Sequence, residues 1–406
     1  MLAALAWRNL WRRPQRTILS LVSIALVSGL LVFVLSFQDG VYGQRKETTL
    51  RIFDGYAQFQ PDGYAADPRL DSAIGEPARL AQAAVEIKGI TMAAPRVNGF
   101  AILANGSRSY AAAVIGVDPA SEAKISTIAD RIQDGRYLQA SDTDSAVLGD
   151  ILAKTLGVAV GGKVTLLGQT RDGSVAADVL RVAGIYHSGI PDLDRTILEM
   201  PLARAQDTFD MQGAANTIAL GGPSLGAVNA ALPALAALAH RDNIAVRDWQ
   251  AMEPALSDTI DLKYATSLVF YATLVLVVAF IILNTLLMSV LERTREFGML
   301  LALGMRPGQI GGMVWLELLA LALVGCAIGI GVGGVITLWL QGVGIVFPAD
   351  PKLLASFGLP TRLYPALTPF SALAGPGALV LAIAIGGLVP FLRVLRLSPA
   401  IATRGA

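Results

Sequence analysis

Few residue combinations in this 406-residue chain could carry chemistry, and the first of them is a near-match to a phosphate-binding loop. Gly157, Gly162 and Lys163 fit the pattern G-x-x-x-x-G-K-[ST], but Val164 replaces the hydroxyl residue that holds magnesium. The pattern also needs a strand before it and a helix after it, whereas here a predicted helix precedes it and a predicted strand follows. The sequence therefore predicts no nucleotide site in this segment.

Metal chemistry has equally little local support. No cysteine cluster and no H-x-x-x-H pair accompanies the two histidines, His187 and His240, and this predicts that no metal is bound. The scattered Ser and Asp residues in the middle of the chain are typical of turns and caps. We therefore expect a non-catalytic chain that binds no cofactor itself, and if it uses energy, another subunit supplies it.

Two polar residues stand inside apolar segments that are long enough to cross a membrane. Glu317 is an ionisable residue in the third such segment, which makes it a functional candidate by default. It also lies about one turn inside the predicted cytoplasmic boundary, where its side chain can snorkel or pair. Asn284, in the second segment, can hydrogen-bond a neighbouring helix or line a cavity.

Glycines recur at four-residue intervals in the third apolar segment, at Gly325, Gly329 and Gly333. This spacing places them along one stripe of a helix. Small residues let membrane helices approach closely. The stripe therefore predicts tight packing against another helix, in this chain or in a second subunit.

The most informative polar stretch lies between Leu291 and Met305. It begins with alternating charges, continues as an apolar helix-forming run and ends at Gly304, before Arg306-Pro307. This pattern predicts a short helix stopped by glycine and proline. Such a helix suits the transfer of force from a soluble partner, although an ordinary connector is also compatible. The predicted coupling residues are Glu292, Arg293, Arg295, Glu296, Gly298 and Gly304.

The elements that must position these residues follow from composition and hydropathy. The chain is 54% hydrophobic and only 16% charged, against about 25% charged in soluble domains. Its net charge of +1 suggests no nucleic-acid partner. The single cysteine, Cys326, rules out an intrachain disulfide, so any large domain must rest on its own apolar core.

Four stretches reach the roughly 20 apolar residues that cross a bilayer. We predict a membrane α-helical protein with four transmembrane helices and one large α+β extracytoplasmic domain between the first two. The first stretch is too long for a signal peptide and lacks its cleavage pattern. The predicted parts are a cytoplasmic interfacial helix (1–16), transmembrane helix 1 (17–39), the outer domain (40–262), transmembrane helix 2 (264–291), a cytoplasmic coupling helix and loop (292–312), transmembrane helix 3 (313–341), a short outer loop (342–367), transmembrane helix 4 (368–392) and a cytoplasmic tail (393–406).

Basic residues in short loops predict the orientation. The loop between the third and fourth spans holds only Lys352 and Arg362. Both termini are therefore predicted to be cytoplasmic. Trp7 and Trp11, one turn apart among arginines, favour an interfacial helix over a plain positive anchor. The ten basic residues on the predicted cytoplasmic side are Arg8, Arg12, Arg13, Arg16, Arg293, Arg295, Arg306, Arg393, Arg396 and Arg404.

Residues 40–262 mix short apolar runs with turn signals such as Asn105-Gly106, Asp134-Gly135 and Asp172-Gly173. The predicted strands are Tyr56–Phe59, Ser109–Val117, Val164–Leu167, Val179–Ile185 and Thr217–Leu220. The predicted helices are Glu76–Ile87, Gly149–Leu156, Pro201–Asp210 and Leu225–His240. This mixture indicates an α+β domain.

The cytoplasmic stretch resembles a known family. Glu292 to Gly298, followed by Leu301-Ala-Leu-Gly304 and Gln309-Ile310, resembles the E-R-x-R-E-[IF]-G…A-L-G…Q-I signature of FtsX-like permeases. Glu317 with the glycine-rich third span resembles the same domain. The ending Leu397–Ala400 resembles the family's L-x-P-x-E-A-L-R tail, with Ile401-Ala402 in place of the usual Glu-Ala.

The outer domain resembles the LolC/LolE branch, the lipoprotein-releasing permeases, in several short motifs. The loop Gly168–Ala177 is short and polar, which departs from the protruding hairpin by which LolC captures its carrier. The motifs that carry the resemblance are Ala94-Pro95-Arg96-Val97, Gly116-Val117-Asp118-Pro119, Gly157-Val158 with Gly161, and Gly184-Ile185-Tyr186 with Ser188-Gly189 and Asp194.

The resemblance implies a MacB-type (type VII) ABC transporter permease of the bacterial inner membrane. Its relatives work as dimers with two cytoplasmic ATPase subunits, whose closure moves the coupling helix, the spans and the periplasmic domain. In LolC/LolE the implied work is extraction of lipoproteins towards a periplasmic carrier, and in MacB-like pumps export through an outer-membrane duct. An FtsX-like regulatory scaffold that activates a periplasmic enzyme without transport is the alternative. The implied partners are ABC ATPase subunits, a second permease subunit in a homo- or heterodimer, membrane lipid, and a periplasmic carrier or lipoprotein substrate.

Overall fold

One apolar helix, a sheet-containing domain and three further apolar helices follow each other along the chain. The computed structural model describes residues 8, 14–240, 244–346, 348 and 361–395. These residues form two compact units, one of residues 45–258 and one from the described parts of 1–44, 259–348 and 361–406. The predicted interfacial helix around Trp7 and Trp11, Lys352 and the tail beyond residue 395 lie outside the described residues.

Helix α1 (Pro14–Ile52) is longer than the apolar stretch that predicts it. The helix continues past Asp39 because its backbone hydrogen bonds do not depend on apolar side chains. Hydropathy therefore marks the part of the helix that suits a bilayer and not the residue at which the helix ends.

The inserted domain alternates strands with short helices, and prolines begin several of these helices, as at Pro77, Pro119 and Pro191. In chain order its elements are β1 (Ala57–Pro61), α2 (Pro77–Val85), β2 (Met92–Asn105), β3 (Arg108–Val117), α3 (Pro119–Ile125), β4 (Ile132–Gly135), β5 (Ser145–Gly149), α4 (Asp150–Leu156), β6 (Lys163–Gln169), β7 (Val175–Tyr186), α5 (Pro191–Thr196), β8 (Ile197–Pro201), α6 (Leu202–Thr208), β9 (Thr217–Gly221), α7 (Leu225–Ala239), β10 (Ile244–Asp248) and α8 (Trp249–Met252).

These ten strands form one mixed sheet in the order β10-β1-β9-β2-β3-β8-β5-β7-β4, while β6 pairs with both β2 and β7. The pairs β3–β8 and β5–β7 are parallel, and the remaining neighbours are antiparallel. The main core lies between the sheet and its helices and includes the fully buried Leu103, Val114, Leu148, Leu180 and Phe209. The domain thus rests on apolar burial, as the single cysteine requires.

Each predicted strand overlaps an observed one, but the sequence analysis missed β2, β4, β5, β8 and β10. The longest strand, β2, was hidden by Pro95 and Gly99, because both residue types are rare inside strands. Gly99 belongs there for a packing reason: a Cβ atom on it would lie 2.5 Å from the ring of Phe209. The contact with Phe209 therefore explains a glycine that argues against a strand when the sequence is considered alone.

The loop predicted at Gly168–Ala177 is shorter in the structure, because β6 and β7 extend into it from both sides. Five residues, 170–174, remain as the turn. The amide of Thr170 donates to the carbonyl of Ser174 at 2.9 Å, and Gly173 has a φ of +84°. The segment is a tight β-hairpin, and its polar residues Thr170, Arg171, Asp172 and Ser174 lie in the turn.

The remaining helices follow the inserted domain. Apolar side chains from four helices meet in a common core, represented by Ile24, Val275, Leu321 and Leu379. Within the described residues, four helices are long and apolar enough to cross a membrane. The predicted fold class, four transmembrane helices with an α+β domain inserted after the first, is confirmed. These elements are α9 (Pro254–Glu292), α10 (Thr294–Ala302), α11 (Pro307–Val343), β11 (Ile345–Val346), β12 (Arg362–Leu363), α12 (Pro369–Gly386) and α13 (Leu388–Leu395).

Candidate coupling segment and membrane cleft

The segment between α9 and α11 is the short amphipathic helix α10. One face buries Phe297 and Gly298, and Phe297 packs among Val290, Ile310 and Met313. Arg295 and Glu296 lie exposed on the other face. The buried face holds α10 against α9 and α11, and the charged face stays accessible.

Gly304 ends this helix. It has a φ of +92°, a region that glycine enters without strain, and the following amide, that of Met305, donates to the carbonyl of Leu300 at 3.1 Å. Pro307 then begins α11. The glycine and proline stop signals therefore act at the positions where the sequence pattern places them.

Arg293, one of the predicted coupling residues, points inward. Its Nη1 lies 3.3 Å from Oε2 of Glu317, and its Nε donates to Oε2 of Glu296 at 3.2 Å. The guanidinium also stacks 5.4 Å from the ring centre of Phe297. The side chains of Arg293 and Glu317 are only 13% and 16% exposed. Arg293 therefore joins α10 to α11, and Glu317 has the partner that one of its two predicted roles requires.

The glycine stripe on α11 lies against α1 of the same chain. A Cβ at Gly329 would stand 2.5 Å from the carbonyl oxygen of Ala25, and one at Gly333 would stand 2.7 Å from that of Gly29. Gly325 similarly faces Ile24 at 2.7 Å. The two helices therefore approach at backbone distance, and the structure selects the first helix of this chain from the two partners left open.

A largely apolar cleft of about 760 Å³ lies between α1, α9 and α12. Apolar side chains such as Leu35, Phe280 and Leu283 form most of its wall, while Gln38 and Tyr271 form part of a polar end. A cleft with an apolar length and a polar end has the chemistry of a site for an amphiphile, such as an acyl chain with its headgroup.

Asp39 organises the polar end of this cleft. Its Oδ1 accepts a hydrogen bond from the Tyr264 hydroxyl at 3.3 Å, and its Oδ2 accepts one from the Thr368 hydroxyl at 3.1 Å. Gln38 beside it accepts from the hydroxyl of Tyr271. Sequence analysis missed Asp39 as a site residue, and the available signal was a single acid at the edge of the first apolar stretch.

Asn284 is not among the residues that line the cleft. It lies on an exposed face of α9 together with Ile281 and Met288. Its position therefore fits a contact with a neighbouring helix better than a role in the cavity, which was the other alternative.

Two sequence patterns, one similar to a phosphate-binding loop and one similar to a nucleophile elbow, have structural roles. Gly157 is the left-handed C-cap of α4, and Lys163 begins β6, so the near-match to a phosphate loop runs from a helix into a strand. The sequence also contains G-x-S-x-G at Gly222–Gly226, which the sequence analysis overlooked. Its Ser224 has ordinary extended backbone, and its Oγ accepts from the amide of Ala227, so it caps α7 instead of forming a strained nucleophile elbow.

One motif of the family resemblance supplies Arg96 to a buried ion pair of the inserted domain, and a second motif begins the helix that carries the partner, Glu122. Arg96 donates through Nη2 to Oε1 of Glu122 at 2.6 Å and to the carbonyl oxygen of Phe53 at 2.5 Å. Asp118 caps α3, the helix that carries Glu122, by accepting from the amide of Ser121. Both charged side chains are at most 1% exposed.

A second buried acid, Glu199, lies near this pair. Burial, and then the negative charge of Glu122, raise the pKa of Glu199 to about 8. Its Oε2 accepts from the hydroxyl of Tyr137 at 2.8 Å. Glu199 is therefore protonated at neutral pH, which lets Arg96 balance Glu122.

Comparison with known proteins agrees with this architecture. A family model described as "MacB-like periplasmic core domain" matches residues 17–238. A second, "FtsX-like permease C-terminal", matches residues 268–399. The two matches cover the inserted domain with its first helix and the three later membrane helices.

Individual relatives match over most of the chain. A lipoprotein-releasing system transmembrane protein LolC of Neisseria meningitidis serogroup B is 28% identical over 72% of this chain and 70% of its own length. A LolC of Xylella fastidiosa strain 9a5c is 25% identical over 99% and 98%. The crystal structure of the periplasmic region of MacB from Actinobacillus actinomycetemcomitans matches with a TM-score of 0.37 and 15% identity, over 51% of this chain and 94% of that one.

The four apolar helices, the inserted domain and the short amphipathic helix together define a membrane permease subunit. More particularly, the chain belongs to the family with a MacB-like periplasmic core domain, and its C-terminal part matches the FtsX-like permease C-terminal model. It is similar to the lipoprotein-releasing system transmembrane proteins LolC and LolE.

Proposed function

We propose that this chain is the membrane subunit of an ABC transporter that extracts lipoproteins, or another lipid-anchored or hydrophobic substrate, from the inner membrane. ATP and magnesium would be bound by a separate cytoplasmic ATPase. The chain would work as a dimer with a second permease subunit, with both termini in the cytoplasm and the inserted domain in the periplasm.

The observation that carries the coupling part is the exposed charged face of α10. Arg295 and Glu296 are exposed, while Phe297 and the Arg293–Glu317 pair hold the opposite face against α11. A force applied to the charged face is therefore passed to a membrane helix through buried contacts. Glu292, Arg295 and Glu296 would contact the ATPase, and Arg293, Gly298 and Gly304 would hold the geometry of the helix.

The cleft between α1, α9 and α12 supports the substrate part. Its volume of about 760 Å³ falls within the usual range for small-molecule sites, roughly 300–1,000 Å³. Its apolar walls would hold acyl chains, and its polar end around Asp39 would lie at headgroup level. The names of the LolC and LolE relatives favour lipoproteins as the substrate class.

The double substitution Arg295→Ala/Glu296→Ala tests the coupling role. In the complex with its ATPase in nanodiscs, we expect ATP hydrolysis stimulated by a lipoprotein to fall at least severalfold, because the charged contacts that transmit closure are lost. The matched control is Glu86→Ala/Lys88→Ala, which removes one exposed acid and one exposed base from the inserted domain.

Unchanged stimulation in the Arg295/Glu296 variant would refute the coupling role. A second measurement separates transport from a scaffold role: affinity purification of the complex should recover a lipoprotein or a periplasmic carrier. Recovery of a periplasmic cell-wall hydrolase in their place would favour the FtsX-like scaffold.

A further inference from the structure

Three potential metal ligands converge in the inserted domain, and none of them belongs to the segments that serve the proposed transport. Asp150 is the first residue of α4, His187 follows β7, and Asp194 lies in α5. One ligand atom from each lies within 4.8 Å of the others. Gly149 permits this convergence, because a Cβ there would stand 2.2 Å from the carbonyl oxygen of Asp194.

One ring nitrogen of His187 faces both carboxylates. Its Nδ1 lies 3.3 Å from Oδ1 of Asp150 and 3.1 Å from Oδ2 of Asp194. This nitrogen carries at most one proton, so it cannot donate a full hydrogen bond to each oxygen. Accordingly, Oδ2 of Asp194 has no hydrogen-bond donor among the described residues, although its side chain is only 1% exposed. A buried carboxylate oxygen in this situation is unfavourable unless a cation or a donor satisfies it.

The other oxygen of each carboxylate is already held in place. Oδ1 of Asp194 accepts from the amide of Ser188 at 2.7 Å, and Oδ2 of Asp150 accepts from Nζ of Lys154 at 2.6 Å. Contacts of this kind orient metal ligands from outside. They leave one oxygen of each aspartate directed at the point that Nδ1 of His187 also faces.

The spacing fits a small transition-metal ion. With bonds of about 2.0–2.2 Å, neighbouring ligands on such an ion stand roughly 3.0–3.5 Å apart. The two nitrogen–oxygen separations, 3.3 and 3.1 Å, fall in that range. The side chain of His187 is 48% exposed, so solvent offers both an entry path and a water ligand.

We propose that Asp150, His187 and Asp194 bind a single divalent transition-metal cation, for which Zn²⁺ is the best match. One imidazole nitrogen, two carboxylate oxygens and a water make a four-coordinate zinc set. Magnesium and calcium prefer ligand sets made only of oxygen. The cation ties α4, the end of β7 and α5 together. The sequence analysis predicted no metal because these ligands come from three separate elements and form no local motif.

Calorimetric titration of Zn²⁺ into the tag-free full-length chain in detergent micelles tests the site. We expect one Zn²⁺ per chain, with affinity at least tenfold weaker in His187→Ala and in Asp150→Asn. His187 is half-exposed, so its truncation should leave the fold intact. His240→Ala is the matched control, since it removes the other histidine, an exposed residue at the end of α7, and should bind Zn²⁺ as the parent chain does.

Zinc-edge X-ray absorption supplies a second readout. The spectrum should show one imidazole and oxygen ligands without sulfur, which distinguishes the site from binding at Cys326. The proposal is overturned if no saturable site is found, if His187→Ala retains the parent affinity, or if His240→Ala loses binding to the same extent. The titration uses this chain alone, so a failed coupling experiment would not affect its result.

Discussion

At the scale of single residues, the guanidinium of Arg96 is the positive charge that buried acids of the inserted domain share. Glu122 bonds it directly, while Asp54 acts on it through space. Burial, followed by the charge of Glu253, raises the pKa of Asp54 to about 6. Removal of one partner from a buried pair typically costs about 3–5 kcal/mol, because the remaining charge is left unbalanced. The family motifs around Arg96 and Asp118 are thus explained by charge compensation and not by catalysis.

The raised pKa of Glu199 predicts a pH-dependent stability. Between its usual value of 4.5 and its folded value of about 8, the folded chain holds a proton that the unfolded chain has lost. The free energy of unfolding therefore falls as pH rises through this window. Glu199→Gln should remove this contribution, on the order of 2 kcal/mol between pH 6 and pH 8. Thermal unfolding in detergent at pH 6, 7 and 8 measures it.

Asp54, with its pKa of about 6, changes the free energy of unfolding mainly below pH 6. The pH dependence between pH 6 and pH 8 therefore reports mainly on Glu199. Glu86→Gln, at an exposed acid of the same domain, is the control and should keep the parental slope. Equal slopes in the Glu199→Gln variant and the parent chain would show that Glu199 is ionised in the folded domain at neutral pH.

At the scale of elements, α1 and α11 are matched by their small residues. Gly29 on α1 faces Gly329 and Gly333, so the close approach is reciprocal. Without a hydrophobic driving force between helices in lipid, such packing relies on dispersion contacts at short range. Each added methyl group at the crossing should therefore separate the helices.

Gly329→Ala tests this contact. A Cβ there would meet backbone and Ser28 atoms at 2.5 Å, so we expect a loss of about 1–3 kcal/mol through overpacking. Gly331→Ala is the control on the same helix, because nothing lies within 4 Å of its Cβ position. Unfolding in mixed micelles with increasing SDS compares them, and equal stability of the two variants would contradict the packing assignment.

The strands of the inserted domain show where local sequence patterns fail to predict an element. Short apolar runs bounded by turn signals were enough to predict β3 and β7, which are long strands. Strand β5 buries all five of its residues and therefore shows no alternation. The sequence periodicity of a strand depends on what covers each face, and that is decided by the sheet and its helices.

At the scale of the whole molecule, the proposed orientation can be tested by chemical accessibility. In a Cys326→Ser background, Ser107→Cys places a thiol on the exposed β2–β3 turn of the inserted domain, and Ala302→Cys places one on α10. Basic residues near α10 predict that it is cytoplasmic. A membrane-impermeant maleimide should therefore label Ser107→Cys in spheroplasts, and should label Ala302→Cys only after lysis.

Labelling of Ala302→Cys in intact spheroplasts, with Ser107→Cys protected, would reverse the proposed topology. It would also remove α10 from reach of a cytoplasmic ATPase. The same pair of variants therefore tests whether energy can enter the chain where the proposed function requires it.

By itself, the sequence determined four apolar helices, the insertion of a domain after the first, and a short helix ended by Gly304 and Pro307. These features follow from hydropathy, charge and backbone preferences, which act over a few neighbouring residues. The same local signals gave the family resemblance, through the charged stretch from Glu292 to Gly298. They could be predicted because each one is complete within a single stretch of chain.

Only the tertiary structure decided which distant residues meet. It paired Arg293 with Glu317, set the glycines of α11 against Gly29, assembled the cleft around Asp39 and brought Asp150, His187 and Asp194 together. Contacts of this kind join residues that are far apart in sequence. They depend on the path of the whole chain and on the burial of its apolar faces, and no local pattern encodes either.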